Sequence, residues 1–371
     1  MTHSPALQKV PPNVVSLADH EQHARQHVDD NAWAYFSGGA ADEITLRANR
    51  SAWDALTLWP RVLRPLAGGH TRVSLLGRTL AHPILLAPIA FQRMAHPDGE
   101  LATAYAAAAL GAGLVLSTQA SLPLEPIAQA VLSDPGRGPL WFQLYLQHDR
   151  GFTQALVQRA EAAGYEALVL TVDAPTSGIR DRERRAHFHL PPGIGPVNLA
   201  GLQPPPTLAL QPGQSALFDG LLHQAPTWDD IAWLKSITRL PVLLKGVLHP
   251  ADAVQAMAVG ADGIIVSNHG GRTLDTAPPT ALALHRIAQA VAGAVPVLVD
   301  GGIRRGTDVL KAMALGASAV LVGRPAVHGL AHAGAAGVAH VLRLLRDELE
   351  VAMALTGCKT LADAPAALSA D

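Results

Sequence analysis

A histidine between a polar dipeptide and a pair of glycines is the strongest candidate for a general base in this sequence. His269 lies in the segment SNHGGR (267–272), directly after a short apolar run that is typical of a strand. Asp173 ends another such run, and a carboxylate beside an imidazole stabilises its protonated form. The pair predicts acid–base chemistry. The alternative for Asp173 is a helix cap or an ion pair with Arg180 or Arg182.

Two arginines close to these residues could bind a carboxylate. Arg180 follows the run that ends in Asp173, and Arg272 follows His269 by three positions. A guanidinium binds a carboxylate through two parallel hydrogen bonds, so two of them over one site predict an organic acid as substrate. The crowded segment RDRERR (180–185) is also typical of a solvated surface, and its other arginines are given no role.

A lysine and a set of glycines suggest further ligand contacts. Lys245 lies in the apolar segment VLLKG, where it either reaches solvent at a rim or faces a group that becomes negative during the reaction. Gly301-Gly302 and Gly323 would allow backbone N–H groups to approach an anion, with Arg305 and Arg324 adding charge. This second set predicts phosphate binding, whereas the simpler reading is that the glycines only make tight turns.

Eight apolar segments alternate with alanine-rich amphipathic segments and would position these residues at strand ends. The predicted strands are 84–88, 114–118, 141–145, 167–173, 242–246, 263–268, 297–302 and 319–324. The predicted helices are 99–110, 152–163, 250–258, 280–291, 305–315 and 338–355. This alternation favours a (β/α)8 TIM barrel, in which the site lies at the C-terminal ends of the strands. An open doubly wound sheet is the alternative, weakened because no GxGxxG follows an early strand.

Two stretches interrupt the alternation. Residues 1–80 form an N-terminal extension with a helix predicted near 17–29. Residues 191–226 are rich in Pro and Gly, and a loop of that length is typical of an active-site cover. We therefore expect a lid after the fourth strand, mobile in its middle, within a single domain that spans 1–371.

The composition excludes several classes of protein. Hydrophobic residues make up 49% of the 371 residues and the net charge is −2, so the chain can form a large core and has no basic excess for nucleic acid or an anionic membrane. One cysteine, Cys358, cannot form an intrachain disulfide or a cysteine-based metal site, which favours the cytoplasm. No His or Cys motif has metal-ligand spacing, and no apolar run is long enough to span a membrane.

Several segments resemble the FMN-dependent 2-hydroxy-acid oxidases and dehydrogenases, a family that includes glycolate oxidase, lactate oxidase and mandelate dehydrogenase. They are SNHGGRTLD (267–275), VDGGIRRGTDVLKAMALGA (299–317), LVGRP (321–325), AYFSGGAADEITLRANR (34–50), LAPIAFQRMAHPDGE (86–100), FQLY (142–145) and LTVDAP (170–175). The resemblance implies FMN as the cofactor, a barrel fold, a homotetramer and oxidation of a 2-hydroxy acid of L configuration to the 2-keto acid.

The resemblance also implies roles for individual residues. His269 would be the base, paired with Asp173. The substrate would contact Tyr35, Tyr145, Arg180 and Arg272, with Tyr145 at its hydroxyl and the others at its carboxylate. Lys245 would face N1 of the flavin. The isoalloxazine ring would be surrounded by Pro88, Ile89, Ala90, Ser117, Gln143, Thr171 and Ser267, and the ribityl phosphate held by Asp300, Gly301, Gly302, Arg304, Gly323 and Arg324.

Three departures from the family pattern leave the substrate side chain open. Thr273 replaces a usual glutamine, Phe36 a common tyrosine, and Gln119 an aromatic residue that often lines the pocket. Ala90 resembles the oxidases, which indicates O2 as electron acceptor and H2O2 as product. The alternatives are a dehydrogenase linked to a quinone or another acceptor, an FMN- or phosphate-binding isomerase, and a barrel that binds flavin without catalysis. The last two would not need SNHGGR together with paired arginines.

Overall fold

Eight parallel strands close into a barrel in the computed structural model, which describes residues 9–205 and 210–368. The chain before the barrel forms α1 (Leu17–His27), α2 (Asp30–Ser37), α3 (Ile44–Ala55) and the antiparallel hairpin β1 (Val73–Leu75) and β2 (Arg78–Leu80). The barrel strands are β3 (Ile84–Leu86), β4 (Gly113–Ser117), β5 (Leu140–Leu144), β6 (Ala167–Thr171), β7 (Val242–Val247), β8 (Gly263–Val266), β9 (Val297–Val299) and β10 (Ala319–Val322). They pair in chain order, and β10 closes against β3. The predicted (β/α)8 barrel is confirmed.

A helix follows each strand, as the alternation predicts. The helices are α4 (Gly99–Ala109), α5 (Leu124–Val131), α6 (Arg150–Ala162), α7 (Asp181–Arg185), α8 (Trp228–Ile237), α9 (Pro250–Ala258), α10 (Thr280–Val291), α11 (Gly306–Ala314) and α12 (Arg324–Thr356). Helix α12 begins well before the predicted 338. It is broken at Ala333 and Gly334, where Gly334 adopts φ 57°. Glycine has a low helix propensity, so Gly334 allows this break between the two halves of α12.

The strands are buried on both faces because helices cover the outside and side chains fill the inside. Alternate residues such as Leu85, Val115 and Leu243 meet in the barrel interior, while their neighbours pack under the helices. Leu75 and Leu80 of the hairpin join the interior cluster. The hairpin therefore closes the N-terminal end of the barrel and leaves the C-terminal end for the site.

The two stretches outside the alternation both contact the barrel domain. In the N-terminal extension, α1 packs along α12 and starts with a capping box at Ser16. In the predicted lid, Asn198 is buried and its Oδ1 accepts the N–H of Leu124 at 3.0 Å. The central residues 206–209, on which the expectation of mobility falls, lie outside the described residues. No helix in the described part of the chain is long and apolar enough to cross a membrane.

Candidate active site

A cavity of about 450 Å³ opens at the C-terminal ends of the strands. Such a volume lies in the range of ligand and cofactor pockets, roughly 300–1,000 Å³. Every site residue that the family resemblance implies lines this cavity except Asp173 and Ser267. Those two lie behind its wall, where they contact residues that do line it. The barrel thus brings together side chains from the loops after all the strands and from the N-terminal extension.

His269 and Asp173 meet across the end of β7. Nδ1 of His269 is 3.0 Å from Oδ1 of Asp173, and the backbone N–H of His269 donates to Ser267 Oγ at 3.0 Å. His269 adopts φ 56°, a left-handed conformation, and lines the cavity. The hydrogen bond occupies Nδ1 and leaves Nε2 as the nitrogen that can exchange a proton with a ligand. Helix capping by Asp173, the alternative from sequence, is not what the structure shows.

Burial and charge act in opposite directions on this pair. Desolvation lowers the pKa of His269 below 6.5, although the hydrogen bond to Asp173 and its negative charge raise it in part. Desolvation would raise the pKa of Asp173, but the hydrogen bond from His269 and the nearby charges of His269 and Lys245 outweigh it, so that the pKa lies below 3.8. At neutral pH the imidazole is therefore a free base beside an ionised carboxylate.

Lys245 is buried rather than exposed at a rim. Its side chain is 5% exposed, and Nζ lies 3.0 Å from both Asp300 Oδ2 and Ser267 Oγ. Desolvation lowers the pKa of Lys245, but the charges of Asp300 and Asp173 outweigh it and the pKa rises above 10.5. The other carboxylate oxygen of Asp300, Oδ1, is buried and has no hydrogen-bond partner among the described residues. It is therefore available to a ligand hydroxyl.

Both predicted substrate arginines reach the cavity, and an acidic residue that the sequence analysis missed lies between them. Arg272 Nη2 is 2.9 Å and Arg180 Nη1 is 3.2 Å from Oε1 of Glu183. Glu183 follows Arg180 by one helical turn, a spacing that could have indicated the contact. The guanidinium of Arg272 lies 4.8 Å over the ring of Tyr35, which stacks on Phe188.

Two phenols complete the part of the cavity near the arginines. Burial raises the pKa of Tyr145 to about 12, and it also raises the pKa of Tyr35, against the opposing charges of Arg272 and Arg180. Both phenols therefore stay protonated at neutral pH and can donate a hydrogen bond.

A buried amide organises the strand ends opposite His269. Gln143 Oε1 accepts from Ser117 Oγ at 3.2 Å, and its Nε2 donates to Thr171 Oγ1 at 3.1 Å. The three side chains lie on successive strands: Ser117 is opposite Gln143, and Thr171 lies two residues beyond Val169, the partner of Gln143. They form a polar strip of donors and acceptors along the cavity, which is what a planar ring with several ring nitrogens and carbonyls requires.

The remaining end of the cavity suits an anion. Nη1 of Arg304 is buried without a hydrogen-bond partner in the described part of the chain. Arg324 donates only to backbone carbonyls, those of Phe36, Gly270 and Gly38, and burial together with the positive charges of Arg272 and Arg304 lowers its pKa to about 9. Arg324 pairs with no carboxylate among the described residues and Arg304 only with Glu21 at 3.5 Å, so an anion such as a phosphate would stabilise both guanidiniums.

The glycines at this end are required by their backbone. Gly302 adopts φ 83°, and a Cβ there would lie 2.5 Å from the carbonyl oxygen of Asn49. The expectation that Arg305 adds charge here is wrong: its guanidinium pairs with Glu348 at 2.7 Å and does not line the cavity. The neighbouring Arg304 takes that place. With this exchange, the residues at this end fit the phosphate of FMN.

The comparisons with known proteins agree with this geometry. The FMN-dependent dehydrogenase family model matches residues 24–370. An L-lactate oxidase from Roseobacter sp. (strain GAI101) is 54% identical over 94% of this chain and 93% of its own, and glycolate oxidase 1 from Zea mays is 45% identical over 94% of both chains. The crystal structure of mandelate oxidase with benzoyl-formic acid has a TM-score of 0.86 and 43% identity, covering 96% of this chain and 98% of that chain. The chain belongs to the FMN-dependent dehydrogenase family of 2-hydroxy-acid-oxidising flavoenzymes.

Proposed function

We propose that the protein oxidises an L-2-hydroxy acid to the 2-keto acid and passes the electrons to O2. The substrate loses two protons and two electrons, and O2 takes up both to give H2O2. The observation that carries the proposal is the convergence of the His269–Asp173 pair with two buried guanidiniums in one cavity. Relatives that are about half identical to this chain are named L-lactate oxidases, which supports both the reaction class and the acceptor.

FMN would lie along the cavity from the polar strip of Ser117, Gln143 and Thr171 to the ends of β9 and β10. Its phosphate would lie against Arg304, Arg324 and the backbone of Gly302 and Gly323, and its ribityl hydroxyls near Oδ1 of Asp300. The ring would contact Pro88, Ile89, Ala90, Ser117, Gln143, Thr171 and Lys245, all of which line the cavity. When bound, FMN supplies the two-electron acceptor that no protein side chain provides.

The protein residues would bind the substrate and move its protons. Arg180 and Arg272 bind the carboxylate, with the Tyr35 phenol as a further donor, and this fixes the orientation of the α-carbon. The Tyr145 phenol donates to the substrate hydroxyl oxygen. Nε2 of His269 then accepts one of the two protons that leave the α-carbon and the hydroxyl, and Asp173 stabilises the resulting imidazolium.

We propose L-lactate as the first substrate to test, and acids with longer or aromatic side chains as further substrates. Gln119, Phe36 and Phe188 line the cavity near the arginines and leave a mixed polar and apolar surface for the side chain. The test is an anaerobic titration of the yellow holoenzyme with glycolate, L-lactate, D-lactate, longer aliphatic acids and L-mandelate. We expect L-lactate to bleach the flavin absorbance. Bleaching by glycolate alone would refute the broader side-chain range, and no bleaching by any acid would favour an isomerase or a non-catalytic barrel.

The acceptor can be tested separately from the substrate. With a reducing acid present, we expect oxygen consumption and stoichiometric H2O2 in an oxygen-electrode assay. Rapid turnover with a quinone or a dye but little oxygen uptake would instead identify the protein as a dehydrogenase.

We also propose that the protein acts in the cytoplasm as a homotetramer built from single-domain subunits. The single cysteine supports a reducing compartment. Trp59, Val62 and Leu63 expose large apolar side chains on one loop, with Leu63 fully exposed, which is typical of a surface that another subunit covers. Light scattering of the holoenzyme tests this: a monomer mass would overturn it.

A further inference from the structure

We propose that Glu183 is an internal carboxylate that holds the substrate's place between Arg180 and Arg272 in the free enzyme and must release both guanidiniums before an acid binds. This inference rests on the proposed function, because it assigns those two arginines to the substrate carboxylate. It adds a residue that sets the affinity of the site for acids.

The contacts of Glu183 are those expected of a bound carboxylate. One oxygen, Oε1, is 2.9 Å from Nη2 of Arg272 and 3.2 Å from Nη1 of Arg180. The side chain is 14% exposed and lines the cavity. Among the ion pairs of the described residues, Glu183 pairs with no other cation. It therefore neutralises part of the charge that would attract a substrate.

The neighbouring arginines do not need Glu183, because each lies close to another acidic residue. Arg182 pairs with Glu43 at 2.5 Å, and Arg184 and Arg185 lie 3.8 and 3.7 Å from Asp181. Solvation of a charged helix face does not explain why Glu183 points inward. The pairing across the cavity is a specific contact between α7 and the loop that carries Arg272.

Glu183 occupies one terminal nitrogen of each guanidinium. Nη1 of Arg272 donates to the carbonyls of Tyr35 and Gly38, and Nε of Arg180 approaches the carbonyl of Arg272 at 3.4 Å. A carboxylate that bridges the two arginines through Nη2 of Arg272 and Nη1 of Arg180 would occupy the position of Glu183. An incoming acid and Glu183 therefore compete for the same donors and for the same positive charge.

The backbone around the arginines cannot open easily, so the glutamate side chain is the part that moves. A Cβ on Gly178 would lie 2.4 Å from the carbonyl oxygen of Arg272 and 2.2 Å from that of Thr273. The loop that leads to Arg180 is thus packed directly on the loop of Arg272, and the two loops stay together. The side chain of Glu183 can leave the arginines by rotation about its own torsions at much lower cost.

The experiment measures the binding of an unreactive acid to the FMN holoenzyme. Propionate has a carboxylate but no hydroxyl to oxidise, and its binding is followed by calorimetry and by the shift of the flavin absorbance. Glu183→Gln and Glu183→Ala are compared with wild type. The control Asp181→Asn removes the same charge from the same helix outside the cavity. FMN content and melting temperature establish which variants are folded. Two different substitutions of Glu183 are made so that the comparison still stands if one of them fails to fold.

We expect the dissociation constant of propionate to fall about tenfold in both Glu183 variants and to stay unchanged in Asp181→Asn. Tenfold is about the contribution of one charge-assisted hydrogen bond, for which Glu183 no longer competes. We expect the KM for L-lactate to fall in parallel. An unchanged or raised dissociation constant in the folded variants overturns the proposal and makes Glu183 a residue that positions the arginines. If no hydroxy acid reduces the flavin, the proposed function fails, while propionate binding still decides the role of Glu183.

Discussion

Oδ1 of Asp173 lies 3.0 Å from Nδ1 of His269, although 96 residues separate the two in the sequence. The contact spans the end of β7, since Asp173 follows β6 and His269 follows β8. It fixes which ring nitrogen is engaged and holds the imidazole against the cavity. It also makes the carboxylate a positioning residue behind the wall, because Asp173 does not line the cavity itself.

Replacement of His269 by glutamine should abolish most turnover without loss of FMN. The amide cannot accept the substrate proton, and general-base catalysis is worth roughly 10²–10⁴-fold. The residues that suit the phosphate, Arg304 and Arg324, are unchanged in this variant, and Arg324 contacts the His269 loop only through the backbone carbonyl of Gly270. Anaerobic stopped-flow reduction by L-lactate measures the rate, and released flavin measures occupancy. A near-normal reduction rate would remove His269 from the role of base.

Replacement of Asp173 by asparagine should move the acid limb of the pH profile. In the wild type, kcat/KM should fall only below pH 6.5, because desolvation lowers the pKa of His269 and the imidazole must be neutral to act. The hydrogen bond and charge of Asp173 raise that pKa, so removing the charge should lower it further and shift the limb to lower pH. The plateau should drop by on the order of 10²-fold, since the imidazolium loses its partner. A limb that moves to higher pH would contradict this electrostatic role.

Replacement of Lys245 by methionine should destabilise the protein. The change leaves Asp300 as a buried carboxylate without its 3.0 Å partner, and breaking a buried pair in this way costs about 3–5 kcal/mol. The free energy of unfolding of the apoprotein, from denaturant titration, checks the value. In the double variant with Asp300→Asn we expect part of the loss to be recovered, because no buried charge remains unpaired. Equal stability of wild type and single variant would show that the pair is not buried in solution.

Arg304 and Arg305 are adjacent but should differ in their effect on FMN affinity. Arg304→Ala removes a guanidinium whose Nη1 is buried without a hydrogen-bond partner among the described residues, and we expect FMN to bind about tenfold or more weakly. Arg305→Ala removes a half-exposed side chain that pairs with Glu348, and its FMN affinity should match wild type. Quenching of FMN fluorescence on titration into apoprotein gives both constants. Equal losses in the two variants would mean that charge alone, and not the position of Arg304, attracts the phosphate.

Replacement of Gln119 by tyrosine should narrow the substrate range. Gln119 lines the cavity and its carbonyl accepts the N–H of Phe91, so a larger ring there reduces the space for the substrate side chain. We expect kcat/KM for L-mandelate to fall by about tenfold relative to that for L-lactate, a change typical of steric selection in a pocket. Steady-state assays with the two acids give the ratio of their kcat/KM values. An unchanged ratio would mean that Gln119 lies outside the pocket for the substrate side chain.

The barrel and the membership of most site residues could be predicted because both depend on order along the chain. In parallel strands the C-terminal ends meet on one face, so a polar residue after each apolar run indicates a shared site before any distance is known. The buried positions of β3 to β10 also follow from uninterrupted apolar runs. The hairpin Val73–Leu80 was missed, since its two strands of three residues carry no long pattern.

Side-chain partners could not be predicted in the same way. Asp300 as the partner of Lys245, and Glu183 as the partner of two arginines, depend on rotamers and on which loops lie side by side. Residue types alone indicated Arg305, whereas the family resemblance implied Arg304; the two differ by one residue of phase at the start of α11. Such details are set by packing between distant segments and leave little trace in local sequence.

The three guanidinium nitrogens of Arg324 donate to the carbonyls of Phe36 and Gly38 in the N-terminal extension and to that of Gly270. During synthesis the first two carbonyls emerge nearly three hundred residues before the arginine that binds them. The N-terminal extension therefore has to wait, without its final partner, until the eighth barrel strand has been made. Assembly of the cofactor end is therefore coupled to completion of the ring, because a chain that stops before Arg324 lacks the side chain that joins the N-terminal extension to the loop of Gly270.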